Sequence, residues 1–321
     1  MNKKIIILSG DPNSINSEII FKSWKKLTKS IREKIIFISN YNLLEKQFKK
    51  LNYNLKMKKI KNINQHEKNE KLNILDINLA FKNPFEVNQK AASKFVIESL
   101  NTAHKLASNN NIKGIINCAI DKNLLKKSKI GVTEYLASKC GIKNDSEVML
   151  IRNKILSVSP ITTHIDIKDV SKKLNKKFII RKIKSLNQNY KNLFNKKPLI
   201  GVLGLNPHNA EFRKNSEERK IIIPSIKALK KKGIKVKGPL ISDTVFIKDY
   251  RNYDILVGMY HDQVLAPFKS IFKFNAINVT LGLKYLRVSP DHGTAKYLIA
   301  QNKANPLSLI ESIKFVNKFG K

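Results

Sequence analysis

Short apolar runs rich in β-branched residues recur along this 321-residue chain, and most break off into a polar loop. "KIIILSG", "EKIIFISN", "IKGIINCAI", "KPLIGVLGLN" and "YDILVGMYHDQ" are the clearest. Runs this short read as strands, and between them lie segments with apolar residues three and four apart. The segment from about Val87, after Pro84, predicts a long amphipathic helix. Helices are also expected from about Ser17, over "SEERKIIIPSIKALKKKG" up to Gly233, from "DHGTAKYLIAQ" and over "NPLSLIESIKFVNKF". Residues from about Lys46 to Asp76 read as polar and irregular, with some short strand-like pieces. Strands alternating with helices point to an α/β fold with much parallel sheet. The length suits two ordinary domains or one large unit, with a boundary expected around Cys140 to Asp145.

Charge narrows the partners. Lys and Arg total 62 against 24 Asp and Glu, a net +38, while 42% of residues are hydrophobic. The hydrophobic share excludes a disordered chain. The basic runs "KKLTKSIREK", "KKLNKKFIIRKIK" and "KALKKKGIKVK" lie far apart and interleave with apolar residues. No aromatic-rich basic motif accompanies them. They read as solvated faces, so no nucleic-acid partner is expected, though a basic surface would draw in anionic small molecules. Cys118 and Cys140 form no disulfide framework and no CxxC motif, which fits a reduced, cytoplasmic setting. The opening apolar run stops at Leu8, too short for a signal peptide, and reads as a first buried strand. No apolar stretch approaches the ~20 residues of a membrane span.

The chain has six histidines. His66 and His104 read as ordinary surface residues. His164, His208, His261 and His292 each stand in a polar loop just after an apolar run. Ligands of α/β sheets bind beyond the carboxyl ends of the strands. Three imidazoles with an open position make a catalytic divalent-metal site. The spacings match no local metal motif such as HExxH, and a single such histidine is more often a capping or hydrogen-bonding residue. Other chemistries find little support. "GDPNSINSE" has one glycine where a dinucleotide turn needs three, and there is no P-loop and no GxSxG elbow.

Taken together, "TTHIDIKDV", "GLNPHNAE", "GPLISDTVF", "MYHDQVLAPFK" and "NVTLGLKYLRVSPDHGTA" resemble the motifs of the 4-hydroxythreonine-4-phosphate dehydrogenase family of vitamin B6 biosynthesis. Their order and separations match, and the likeness spans most of the chain from Gly10 onward. The resemblance implies an isocitrate/isopropylmalate dehydrogenase-like fold, two α/β/α domains flanking a cleft. On this chain the domains would be 1–142 plus roughly 286–321, and 143–285. It implies a homodimer that oxidises 4-phosphohydroxy-L-threonine with NAD or NADP, the product losing CO₂ to give 3-amino-2-oxopropyl phosphate. It implies a divalent metal (Zn, Mg or Co) on His164, His208 and His261, with ligands shared between subunits. Substrate contacts would be Thr133, Lys269, Asn278 and Arg287. Lys269 and Asp243 are the catalytic candidates, and Asp243 and Asp262 would orient imidazoles.

Three departures stand in the N-terminal half. The family's "GHTE" is here "GVTE", so Val132 replaces a substrate-contacting histidine. "TGP…K" becomes "NCAIDK", Asn117 to Lys122. "GDPAGIGPE" becomes "GDPNSINSE", putting Ser14 and Asn16 where the family has glycines. The departures leave open a related enzyme acting on another phosphorylated hydroxy acid, such as a phosphorylated four-carbon sugar acid. A non-catalytic basic nucleic-acid binder is the remaining alternative, from a different class.

Overall fold

A computed structural model describes residues 3–67, 70–109, 112–125, 131–142 and 147–320. Their strands, in chain order, are β1 Lys4–Leu8, β2 Ile35–Ser39, β3 Met57–Ile60, β4 Leu72–Asp76, β5 Ile112–Asn117, β6 Val148–Arg152, β7 Ser157–Pro160, β8 Ile200–Leu203, β9 Val236–Leu240, β10 Ile255–Gly258, β11 Ile277–Leu281 and β12 Arg287–Pro290. The chain divides into two compact units, Met1–Gly141 with Leu283–Lys321, and Ile142–Gly282. The boundary expected around Cys140 to Asp145 falls partly on residues 143–145, which lie outside the described residues.

In the first unit the strand order is β3-β4-β2-β1-β5-β12, and every pairing is parallel. Parallel strands must be covered on both faces, which is why β1 and β2 are nearly continuous apolar runs. The helix Gln89–Ser108 supplies one cover. It starts two residues later than Val87, because the Asn88 side chain caps it by accepting from the Ala91 N–H. Phe95, Val96, Leu100 and Ala103 of this helix pack with Ile6, Leu8, Ile36, Ile38 and Ile115.

The second unit carries β11-β6-β7-β10-β8-β9. Here β6 runs antiparallel to both β11 and β7, while β7, β10, β8 and β9 are parallel. Its core includes Ile151, Val158, Leu203, Leu256, Val264 and Phe268.

Three expectations are corrected. Tyr41–Lys50 is a helix reaching into the stretch read as irregular, capped by the Asn40 side chain on the Leu43 N–H. "DHGTAKYLIAQ" opens no regular helix, only the short 3₁₀ turn Lys296–Leu298 behind a left-handed Ala295. "MYHDQ" is not a loop: His261 is the first residue of the helix His261–Phe272. Pro267 at its seventh position hid that helix from periodicity. Among the described residues no helix is long and apolar enough to cross a membrane.

Candidate functional site

In the second unit the strand order puts the carboxyl ends of β7, β10, β8 and β9 side by side. Neighbouring strands lie about 4.8 Å apart. The segments that leave these ends carry His164, His261, His208 and Asp243 in that order. Beyond β7 the chain stays against β10: the Ile161 N–H donates to the Gly258 carbonyl at 2.8 Å, and the Thr162 N–H and hydroxyl both donate to the Met259 carbonyl, at 3.1 and 2.7 Å. That pairing brings the His164 and His261 rings to 5.8 Å between centroids. His261 Nδ1 lies 2.6 Å from Asp262 Oδ1. A carboxylate there takes the Nδ1–H and leaves the Nε2 lone pair for a ligand.

His208 is held differently. It begins a run, His208 to Phe212, whose φ angles all lie between 47° and 56°. Left-handed backbone costs roughly 1–2 kcal/mol per non-glycine residue, so neighbouring contacts must hold it. Glu218, fully buried, accepts from the Leu205 and Asn206 N–H groups at 2.8 Å each and from the Asn206 amide at 3.1 Å. Burial pushes its carboxyl up, but the hydrogen bonds from Asn206 and Leu205 outweigh that and hold it below the ordinary glutamate value. The Gly204 N–H donates to the Leu240 carbonyl at 3.0 Å, and the Asn209 amide to the Pro239 carbonyl at 3.2 Å. A Cβ on Gly204 would run into the Asn209 side-chain amide, which would have to shift.

Of the three expected ligands, the single chain brings His164 and His261 together. Among the described residues no three or more His, Cys, Asp or Glu are grouped to hold a metal ion, so His208 does not complete the set. Asp243 stands exposed in the short helix Ser242–Val245, and Lys269 stands exposed on the helix His261–Phe272. Two turns of rise set Lys269 about 12 Å from His261 along that axis. Asn278 lies half-buried in β11, its Oδ1 shielded and without a hydrogen-bond partner among the described residues.

In the first unit Arg287 opens β12 opposite Ile115 of β5. Asn117, two residues on, shares that strand face. Arg287 is 3% exposed. Its Nε donates to Asn117 Oδ1 at 2.8 Å and its Nη1 to Thr133 Oγ1 at 3.1 Å. Burial drives the guanidinium down to about 10, against the opposing charge of Glu134. Asn117, Thr133 and the charge of Glu134 thus surround this buried cation. Val132 begins the helix Val132–Lys139 and packs, half-buried, against the apolar core of the first unit.

The remaining histidines are sorted by their contacts. His104, expected at the surface, is half-buried with Nδ1 2.9 Å from the Tyr285 hydroxyl, and burial lowers its pKa. His66 is also half-buried, Nδ1 2.9 Å from Lys4 Nζ. His292 Nδ1 meets the Gly293 carbonyl at 2.9 Å. Around Gly10, whose φ is +79°, Ser14 and Asn16 turn their side chains inward: Ser14 Oγ donates to the Asp11 carbonyl at 2.6 Å and Asn16 Nδ2 to the Ala119 carbonyl at 2.8 Å. Asp11 is 2% exposed, and burial raises its pKa. Surface hollows of about 650 and 730 Å³ in the first unit are lined by none of the candidate residues.

Sequence reasoning missed Asn117, Glu218 and Gln263. Asn117 and Gln263 stood inside quoted motifs, yet no charge or spacing marked them. Glu218 was hidden in a helix-like run.

The pyridoxal phosphate biosynthetic protein PdxA model matches residues 31–316. A 4-hydroxythreonine-4-phosphate dehydrogenase of Sulfurihydrogenibium sp. is 37% identical over 97% of this chain and 96% of its own length. An Oceanobacillus iheyensis protein provisionally named a D-threonate 4-phosphate dehydrogenase is 31% identical over 98% of this chain and 97% of its own. The crystal structure of the Klebsiella pneumoniae 4-hydroxythreonine-4-phosphate dehydrogenase superposes with a TM-score of 0.86 at 28% identity, covering 100% of both chains. The isocitrate/isopropylmalate dehydrogenase-like fold of such enzymes is therefore the fold of this chain.

Proposed function

Because the chain belongs to the PdxA family of pyridoxal phosphate biosynthetic proteins, we propose that it oxidises the 3-hydroxyl of 4-phosphohydroxy-L-threonine with NAD or NADP. The products would be 2-amino-3-oxo-4-phosphooxybutanoate, reduced nicotinamide and a proton. The keto acid then loses CO₂ to give 3-amino-2-oxopropyl phosphate.

The observation that carries this reading is the His164–His261 pair, with Asp262 on the outer nitrogen of His261. Neutral imidazoles backed by a carboxylate fit a divalent cation. We read the set as His164, His208 and His261 divided between two copies of the chain, in a cytoplasmic homodimer. When bound there, a divalent cation supplies Lewis acidity towards a substrate oxygen, and the oxidised nicotinamide supplies the hydride acceptor.

The chain's own residues have separate tasks. Arg287, oriented by Asn117 and Thr133, would supply positive charge to an anionic group of the substrate. Lys269 would add a positive charge for the phosphate. Asn278 presents a shielded amide oxygen to a donor such as the substrate amine. Asp243, on the segment that follows β9, would accept a proton or steady a ligand.

A second reading is oxidation of a phosphorylated four-carbon sugar acid, favoured by Val132 and by the likeness to the Oceanobacillus iheyensis protein. An apolar side chain at 132 cannot offer the hydrogen bond that a histidine would. The test is formation of reduced nicotinamide by the purified, metal-supplied protein with each substrate in turn. Turnover only with the sugar acid would replace the first reading by the second. No turnover with either, together with tight salt-sensitive DNA binding, would remove both.

A further inference from the structure

Gln263 lies in the first turn of the helix His261–Phe272 and is 9% exposed. Its side-chain amide makes three hydrogen bonds, each to a different strand end. Oε1 accepts from the Met259 N–H at 2.6 Å, just beyond β10. Nε2 donates to the Gly204 carbonyl at 2.6 Å, just beyond β8, and to Ser242 Oγ at 2.8 Å, just beyond β9. Both amide hydrogens are therefore used. The three partners stand two residues before His261, four before His208 and one before Asp243. The fit is tight, since a Cβ on Gly258 would come within 2.9 Å of Gln263 Oε1 and 2.6 Å of Val264.

We propose that Gln263 is the positioning residue of this half of the site, one buried amide that sets the mutual placement of the segments bearing His261, His208 and Asp243. As a positioning role for metal ligands it rests on the metal reading above. The amide is needed chemically. Glutamate has the same shape but loses both donors and sets an anionic oxygen against the Gly204 carbonyl. Methionine keeps the volume and loses all three bonds. Ser242→Ala removes one arm and leaves the other two.

The experiment uses the full chain in three variants, Gln263→Glu, Gln263→Met and Ser242→Ala. Co²⁺ affinity is measured by competition with a chromophoric chelator, and kcat and KM are measured separately. Removing a group that orients ligands weakens metal binding about 10- to 100-fold. That loss is expected for both Gln263 variants, and a several-fold loss for Ser242→Ala, with kcat lowered more than the KM for nicotinamide. Amide and imidazole NMR shifts of His208 and His261 should move together in Ser242→Ala, which sees the bracing without any metal. Folded variants with wild-type Co²⁺ affinity, or shifts confined to residue 242 and its neighbours, would overturn the proposal. If the Gln263 variants do not fold, Ser242→Ala decides it by the same readouts. A wild-type chain that takes up no Co²⁺ defeats the metal reading instead, and the NMR shifts then decide the bracing alone.

Discussion

Arg287 and His261 are held in opposite ways. The guanidinium of Arg287 is sealed in the first unit, and its own side chain makes the bonds that fix it, to Asn117 and Thr133. The His261 ring is partly exposed, and Asp262, its hydrogen-bond partner among the described residues, is itself exposed. What places His261 is the backbone under it, braced by Gln263. A buried charge must be satisfied by neighbours or it costs several kcal/mol. An exposed imidazole carries no such debt, so its precision must come from the strand ends beneath. The anchor of the first unit should thus fail when its own contacts are cut, and the histidine edge of the second when its scaffold is cut.

The largest effect is expected at Arg287. Arg287→Met leaves Glu134 without that cation, a cost of about 3–5 kcal/mol in stability, and would remove the proposed anion contact. Steady-state kinetics should show kcat/KM lower by two to three orders of magnitude, and a near-normal value would mean that the anchor lies elsewhere. Next is His261→Asn, which should weaken divalent-metal binding by more than about 100-fold, since it deletes a ligand and not just its support. Calorimetric titration with Zn²⁺ would show it; unchanged affinity would strike His261 from the set.

Glu218→Gln separates scaffold from ligand. The Glu218 pKa lies below its ordinary value, so its stabilisation is full above about pH 4.5 and fades as pH falls through the folded-state pKa. Weakening its charge-assisted bonds should cost about 1.5–3 kcal/mol at neutral pH. Urea melts of the two proteins should converge in acid, and a gap that stays constant with pH would refute the charge argument. Asp262→Asn is milder, about 10-fold in metal affinity, because the amide can still receive the Nδ1–H. The smallest change is Val132→His. Under the first reading it lowers KM for 4-phosphohydroxy-L-threonine severalfold, worth about 0.5–1.5 kcal/mol. A rise in that KM would instead favour the sugar acid.

The same contrast explains what was legible before the structure. The alternating strands and helices were readable because period and punctuation are local. The histidines stood out because a rare residue type recurred at strand ends, and the family motifs named Arg287. The partners of Arg287 were not readable, since Asn117 and Thr133 meet it only once β5, β12 and the helix Val132–Lys139 have folded. Gln263 and Glu218 were invisible for a related reason, their partners lying on other segments. The helix His261–Phe272 is masked in the sequence because Pro267 interrupts its pattern, and Tyr41–Lys50 is lost among lysines.

The loop around Gly10 shows where the substitutions of Ser14 and Asn16 lead. Their side chains bond to the Asp11 and Ala119 carbonyls, while Gln47 donates to the Pro12 and Pro84 carbonyls and Asn13 bridges to Val87. Replacing glycine also narrows the wandering of the unfolded chain, so the loop loses less freedom when it forms. Stitched down from both sides, this buried turn should exchange its amide hydrogens on the timescale of whole-unit unfolding, as slowly as the strands beside it.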